Sequence, residues 1–86
     1  MIIKLNDEMQ QLLLSEVEDV TYLIEKQVAI KSGINELQVS DIQELLLLIN
    51  DEIVYRGLDN QDVVNDLGKK LYNLYDEILY QKKNQR

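Results

Sequence analysis

Cysteine, histidine, proline, tryptophan and phenylalanine are all absent from this chain of 86 residues. Without cysteine there can be no disulfide, no thiolate nucleophile and no thiolate metal site. Without histidine the commonest general base and transition-metal ligand is missing. Glycine occurs only at positions 33, 57 and 68. With so few breakers, the composition favours long helices over a strand-and-turn architecture. Positive charge is also scarce: nine basic residues face sixteen acidic ones, for a net charge of −7. Lys82, Lys83 and Arg86 cluster at the end, so residues 1–81 hold six basic groups against the same sixteen acids. A body of that sign repels phosphate backbones and argues against direct nucleic-acid binding. No apolar run approaches the ~20 residues needed to cross a bilayer. The apolar stretch at the start, Ile2, Ile3 and Leu5, is too short for a secretory signal. A cytoplasmic protein with no membrane partner is expected.

What the chain has in plenty is leucine, isoleucine and valine at helical spacing. Asn6 is a good N-cap, followed by Asp7 and Glu8, acids that suit the positive end of the helix dipole. Met9, Leu13, Val17, Val20, Ile24 and Val28 then recur at three- and four-residue steps, predicting a first helix over about 7–32. Glu16 and Gln27 interrupt that stripe. Gly33 fits the left-handed position just past a helix end. Residues 33–39 are expected to be a loop, and Ser40 with Gln43 has the form of a capping box for a second helix over about 41–56. Gly57 reads as another helix stop. Asp59 is the expected cap of a third helix over about 60–82, with Leu58 and Val63 as a hydrophobic staple. Val64, Leu67, Leu71, Leu74 and Ile78 give that helix an a/d seam. Gly68 lies beside the seam, where a glycine's cost of about 1 kcal/mol implies close approach of a neighbour. The ending, 83–86, reads as a polar tail.

The expected fold is therefore all-α: one domain, a compact three-helix bundle running up-down-up, with residues 1–5 as a short extended N-terminal arm. The arm is expected to fold over a helix seam, since no other segment reads as a strand to pair with it.

Within the second helix, Leu45, Leu46, Leu47, Leu48 and Ile49 form an unbroken apolar run. At ~100° per residue, five such positions pass more than once around the helix and leave no wholly polar side. Sorted by angle, Ile42, Leu45, Leu46, Ile49 and Ile53 share one broad face. Leu47 and Val54 fall together on nearly the opposite side, and Leu48 and Tyr55 form a flanking strip. Leu47, Val54, Leu48 and Tyr55 are thus the candidate interface residues.

Catalytic chemistry has little to stand on. Glu18 with Asp19, Asp51 with Glu52 and Asp76 with Glu77 are adjacent in sequence, and on a helix such neighbours diverge by ~100°. The stretch 59–66 lacks the residue order of a calcium loop. Serines and threonines have no histidine to activate them. No catalytic, cofactor-binding or metal-ligating residue is assigned, and no cofactor is expected. The leading expectation is a small acidic helical protein-interaction module, homo-oligomeric or docking on a larger protein through the extra apolar strip. The alternative is an acidic inhibitor or antitoxin-like protein that occupies the basic groove of a nucleic-acid enzyme. A scaffolding accessory to larger machinery shares the first reading's interface and differs only in partner.

Overall fold

The computed structural model describes residues 1–59, 61 and 63–84 and gives a mixed α/β fold, not an all-α bundle. In chain order the elements are β1 (Ile2–Asn6), α1 (Asp7–Glu16), a 3-10 turn (Val20–Leu23), β2 (Ile24–Lys31), β3 (Ile34–Val39), α2 (Ile42–Arg56) and α3 (Asp66–Asn84). The strands form an antiparallel sheet in the order β1-β3-β2.

The N-terminal arm is a strand, and its partner is the segment expected to be a loop. Ile3 lies opposite Leu37 and Leu5 opposite Asn35. Ile3, Leu5, Leu37 and Val39 are buried, while Ile2, Lys4 and Gln38 on the other face are exposed. That period-two alternation marks a sheet with one face against the core. The buried amide Asn35 donates to Asp7 Oδ1 at 2.7 Å, which ties β3 to the first turn of α1.

The first helix ends at Glu16, sixteen residues before its expected end near 32. Asn6 caps α1 as expected, accepting from the Met9 amide at 2.7 Å. The helix then stops at Glu16, and Asp19 takes a left-handed φ of 61° that starts the 3-10 turn. Val17 continues into the core from the C-cap of α1, and Val20 and Leu23 from the 3-10 turn. Chain expected to be helical returns as β2, and Gly33 serves a hairpin between β2 and β3 instead of a helix end. Its φ of +79° is the feature that calls for glycine there.

Two caps also differ from expectation. Asp41, not Ser40, caps α2 by accepting from the Glu44 amide at 3.1 Å, and the Ser40 hydroxyl donates to the Leu23 carbonyl. Helix α3 starts at Asp66, where Asn65 accepts from the Gly68 amide at 2.8 Å. Asp59 organises the preceding turn by accepting from the Gln61 and Val63 amides. Leu58 bridges Val64 in place of a staple with Val63. Asn60 and Asp62, in the expected first turn of the third helix, lie outside the described residues, as do Gln85 and Arg86 of the expected tail.

Gly57 does not take the left-handed conformation of a helix stop; its φ is −85°. It meets Gly68 instead. A β-carbon on Gly68 would lie 2.2 Å from the Gly57 carbonyl oxygen, and one on Gly57 would lie 2.9 Å from the Gly68 α-carbon. The pair lets the end of α2 pass against the first turn of α3, the close approach that Gly68 implies. Leu45, Leu46, Ile49 and Ile53 of α2 and Leu71, Leu74 and Ile78 of α3 then join Leu13 and the inward strand residues in one core.

Candidate interaction surfaces

Helix α2 is held by its inward face and by its C-terminal end. Arg56 donates to Glu52 Oε2 at 2.7 Å and to Glu16 Oε2 at 3.3 Å, and also to the Glu16 main-chain carbonyl. One guanidinium thus ties the last turn of α2 to the last turn of α1. The hydrogen bond to Glu52 raises the Arg56 pKa above its ordinary value, partial desolvation opposes it, and the charges of Glu52 and Glu16 support it. Glu52 lies in the buried set because this pairing compensates its charge.

Apolar side chains also stand on the outward side of α2. Leu47 is 55% exposed and Val54 63% exposed, two turns apart on the side facing away from the core. Tyr55 is 84% exposed. Leu48 differs: it is half-buried and packs against the core. The four candidate residues therefore do not make one surface. Leu47 and Val54 form an outward strip, Tyr55 stands apart, and Leu48 belongs to the margin of the core.

Tyr22, on the 3-10 turn, stands near the start of α2 and is mostly exposed. Partial withdrawal from water, followed by the carboxylates of Glu44, Asp19 and Asp41, raises its phenol above the ordinary tyrosine value. This small acidic cluster gathers residues from two separate chain segments, so their spacing in sequence does not reveal it.

The sheet supplies a second uncovered region. Val28 and Ile30 of β2 are each 42% exposed. A groove of about 660 Å³ runs between the outer sheet face, with Ile2, Ile30 and Ile34, and the C-terminal half of α3, with Tyr80 and Gln81. Its lining is mixed, with Lys4, Lys31 and Glu77 at its sides, and holds no activated nucleophile. Sequence reasoning missed this region because it placed β2 in a helix. A signal was present: Ser32 and Gly33 separate two segments rich in Ile and Val, a hairpin pattern.

Five carboxylates have structural work within the fold. Asp7 holds Asn35, Asp41 caps α2, Asp59 organises a turn, and Glu16 and Glu52 hold Arg56. Among the described residues no group of three or more carboxylates is arranged to hold a metal ion, and no helix is long and apolar enough to cross a membrane. No family model, curated protein or solved structure matches the chain.

Proposed function

We propose that this chain is a non-catalytic protein-interaction domain that self-associates or docks on a larger protein through the outward strip of α2. The observation carrying this reading is the exposure of Leu47 and Val54 on a helix whose other aliphatic residues lie in the core or pack against it. Single exposed aliphatic side chains are ordinary on protein surfaces. Two of them stacked two turns apart, on an ordered helix anchored at its end by Arg56, form a rigid ridge suited to another protein's apolar groove.

The acidic-inhibitor alternative draws less support. Mimicry of a nucleic acid needs carboxylates arrayed on one surface, whereas Asp7, Glu16, Asp41, Glu52 and Asp59 have partners within the fold. Tyr22, Asp19, Asp41 and Glu44 make only a local cluster.

Light scattering on the wild type and on a Leu47→Glu, Val54→Glu variant tests the leading reading. Loss of an association step with helical content retained supports the strip. An unchanged mass in the variant, with no partner protein that distinguishes it from wild type, counts against it.

A further inference from the structure

The outward strip of α2 and the groove beside α3 carry opposite charge. Leu47, Asp51 and Val54 stand at i, i+4 and i+7, so an exposed acid sits between the two aliphatic side chains. Glu44, three residues before Leu47, adds a second acid nearby. Arg56, the only cation of α2, is turned to Glu52 and Glu16. The groove has the reverse pattern. Lys4 and Lys31 line it beside Ile2, Ile30, Ile34 and Tyr80, and its single lining acid, Glu77, accepts from Gln81 Nε2 at 3.1 Å. Among the described residues neither lysine forms an ion pair, although Glu36 lies opposite Lys4 in the sheet register. Lys82 and Lys83 follow Gln81 on the last turn of α3, so four of the chain's nine basic residues gather at or beside the groove. The α3 wall is fixed to the sheet, because Gln81 stands where another strand could pair with β1. The Lys4 amide donates to Gln81 Oε1 at 2.8 Å, and Gln81 Nε2 donates to the Lys4 carbonyl at 2.7 Å. The β1 edge is thus occupied from within the chain.

We propose that the α2 strip of one copy seats in the sheet–α3 groove of a second copy, a head-to-tail contact that repeats from chain to chain. The proposal rests on the interaction-domain reading and names the partner of the strip. Asp51 argues against the simpler pairing of the strip with itself. It lies near the midpoint between Leu47 and Val54, so a two-fold axis through the strip sets it beside the partner's Asp51. That holds whether the two helices run parallel or antiparallel, and like charges brought together across an interface are costly. The groove of a second copy instead gives Leu47 and Val54 apolar cover and meets Asp51 with lysine. An amphipathic helix docked in a groove is recognised through anchors at this spacing. With a net charge of −7, copies of the chain repel one another at large. The cationic groove is the place where an acidic strip is accepted. Strip and groove share no residue and lie on different elements, so each copy can offer both. Contact between two unlike patches continues into a ring or an open chain of copies, whereas a two-fold contact stops at a dimer.

Mixing two blocked variants tests the contact by light scattering. Leu47→Glu, Val54→Glu blocks the strip, and Lys31→Glu, Tyr80→Glu, at two exposed positions, blocks the groove. Each variant alone is expected to stay monomeric at concentrations where the wild type associates, with circular dichroism unchanged. Their equimolar mixture is expected to reach the mass of two copies and stop there, because the free strip and the free groove of that pair are both blocked. Asp51→Asn, an exposed change that leaves the core untouched, is expected to weaken wild-type association roughly two- to fivefold. Pairing of strip with strip would instead tighten on losing the same charge. A mixture that stays monomeric, tighter association of Asp51→Asn, or a monomeric wild type at every concentration overturns the head-to-tail contact. If the groove variant keeps the wild-type mass while the strip variant loses it, the proposal fails and the α2 reading stands. If the strip variant keeps the wild-type mass, self-association through α2 fails and the head-to-tail contact fails with it.

Discussion

Leu46 and Leu47 are neighbours on α2 with opposite surroundings, and replacing each with alanine separates burial from everything else. Leucine and alanine are both strong helix formers, so the exchange changes helix propensity little. Leu46 is 5% exposed within the core, whereas Leu47 faces away from it. Leu46→Ala removes buried methyl groups and leaves a cavity, a loss of about 2–5 kcal/mol. In a domain of this size that amounts to a fall in melting temperature of roughly 10 °C or more. Leu47→Ala is expected to cost no more than about 0.5 kcal/mol, the range of ordinary surface substitutions. Urea unfolding followed by circular dichroism reads both values. The measurement belongs at the lowest workable concentration, because association binds only folded chains and adds concentration-dependent stability. If Leu47→Ala costs as much as Leu46→Ala in the dilute chain, Leu47 is covered within its own subunit and the docking strip disappears.

Three further outcomes test the packing around these surfaces. Gly68→Ala is expected to destabilise the fold by about 1–3 kcal/mol through overpacking against Gly57, outweighing the ~1 kcal/mol that alanine favours helix over glycine; a raised melting temperature would contradict the close approach. Gln81→Ala opens the β1 edge, so hydrogen exchange at the Lys4 amide should accelerate while amides of Leu71 and Leu74 in the core of α3 keep their rates. Equal protection of Lys4 in both proteins would remove Gln81 from that role. Tyr22 has a raised pKa in the folded chain, so its contribution to stability is intact below the ordinary tyrosine value and is lost as pH rises through the folded value. Glu44→Gln should move the Tyr22 phenolate transition to lower pH, with Tyr22→Phe identifying which step of the ultraviolet titration belongs to it; an unmoved transition would refute the influence of Glu44.

The sequence was most legible where one helical face meets the core. Leu45, Leu46, Ile49 and Ile53 turn inward as their angular sector implies, and the seam residues Leu71, Leu74 and Ile78 are buried. The sheet was hidden by a coincidence of spacing. Val17, Val20, Ile24 and Val28 continue the steps of α1, although Val17 only caps that helix, Val20 belongs to the 3-10 turn, and Ile24 and Val28 belong to a strand. β2 offered little counter-signal because it is exposed on both faces and so lacks a strict apolar alternation. β3 did alternate, at Leu37 and Val39, but with β2 misplaced it had no partner. Without β3, the arm at Ile3 and Leu5 had none either. On the candidate interface, angle alone placed Leu47 and Val54 outward; it could not foresee that Leu48 would find cover at the margin of the core. The sealing of β1 by Gln81 spans nearly the whole chain, and no local pattern encodes it.

The interaction-domain account turns most directly on how mass depends on concentration for the wild type and for the Leu47→Glu, Val54→Glu variant. Multi-angle light scattering across the micromolar range is the measurement. The account expects the wild type to exceed the monomer mass, alone or with its partner protein, and the variant to lose that step while keeping its circular dichroism. Identical masses for the two proteins, alone and with every partner that the wild type binds, would contradict it.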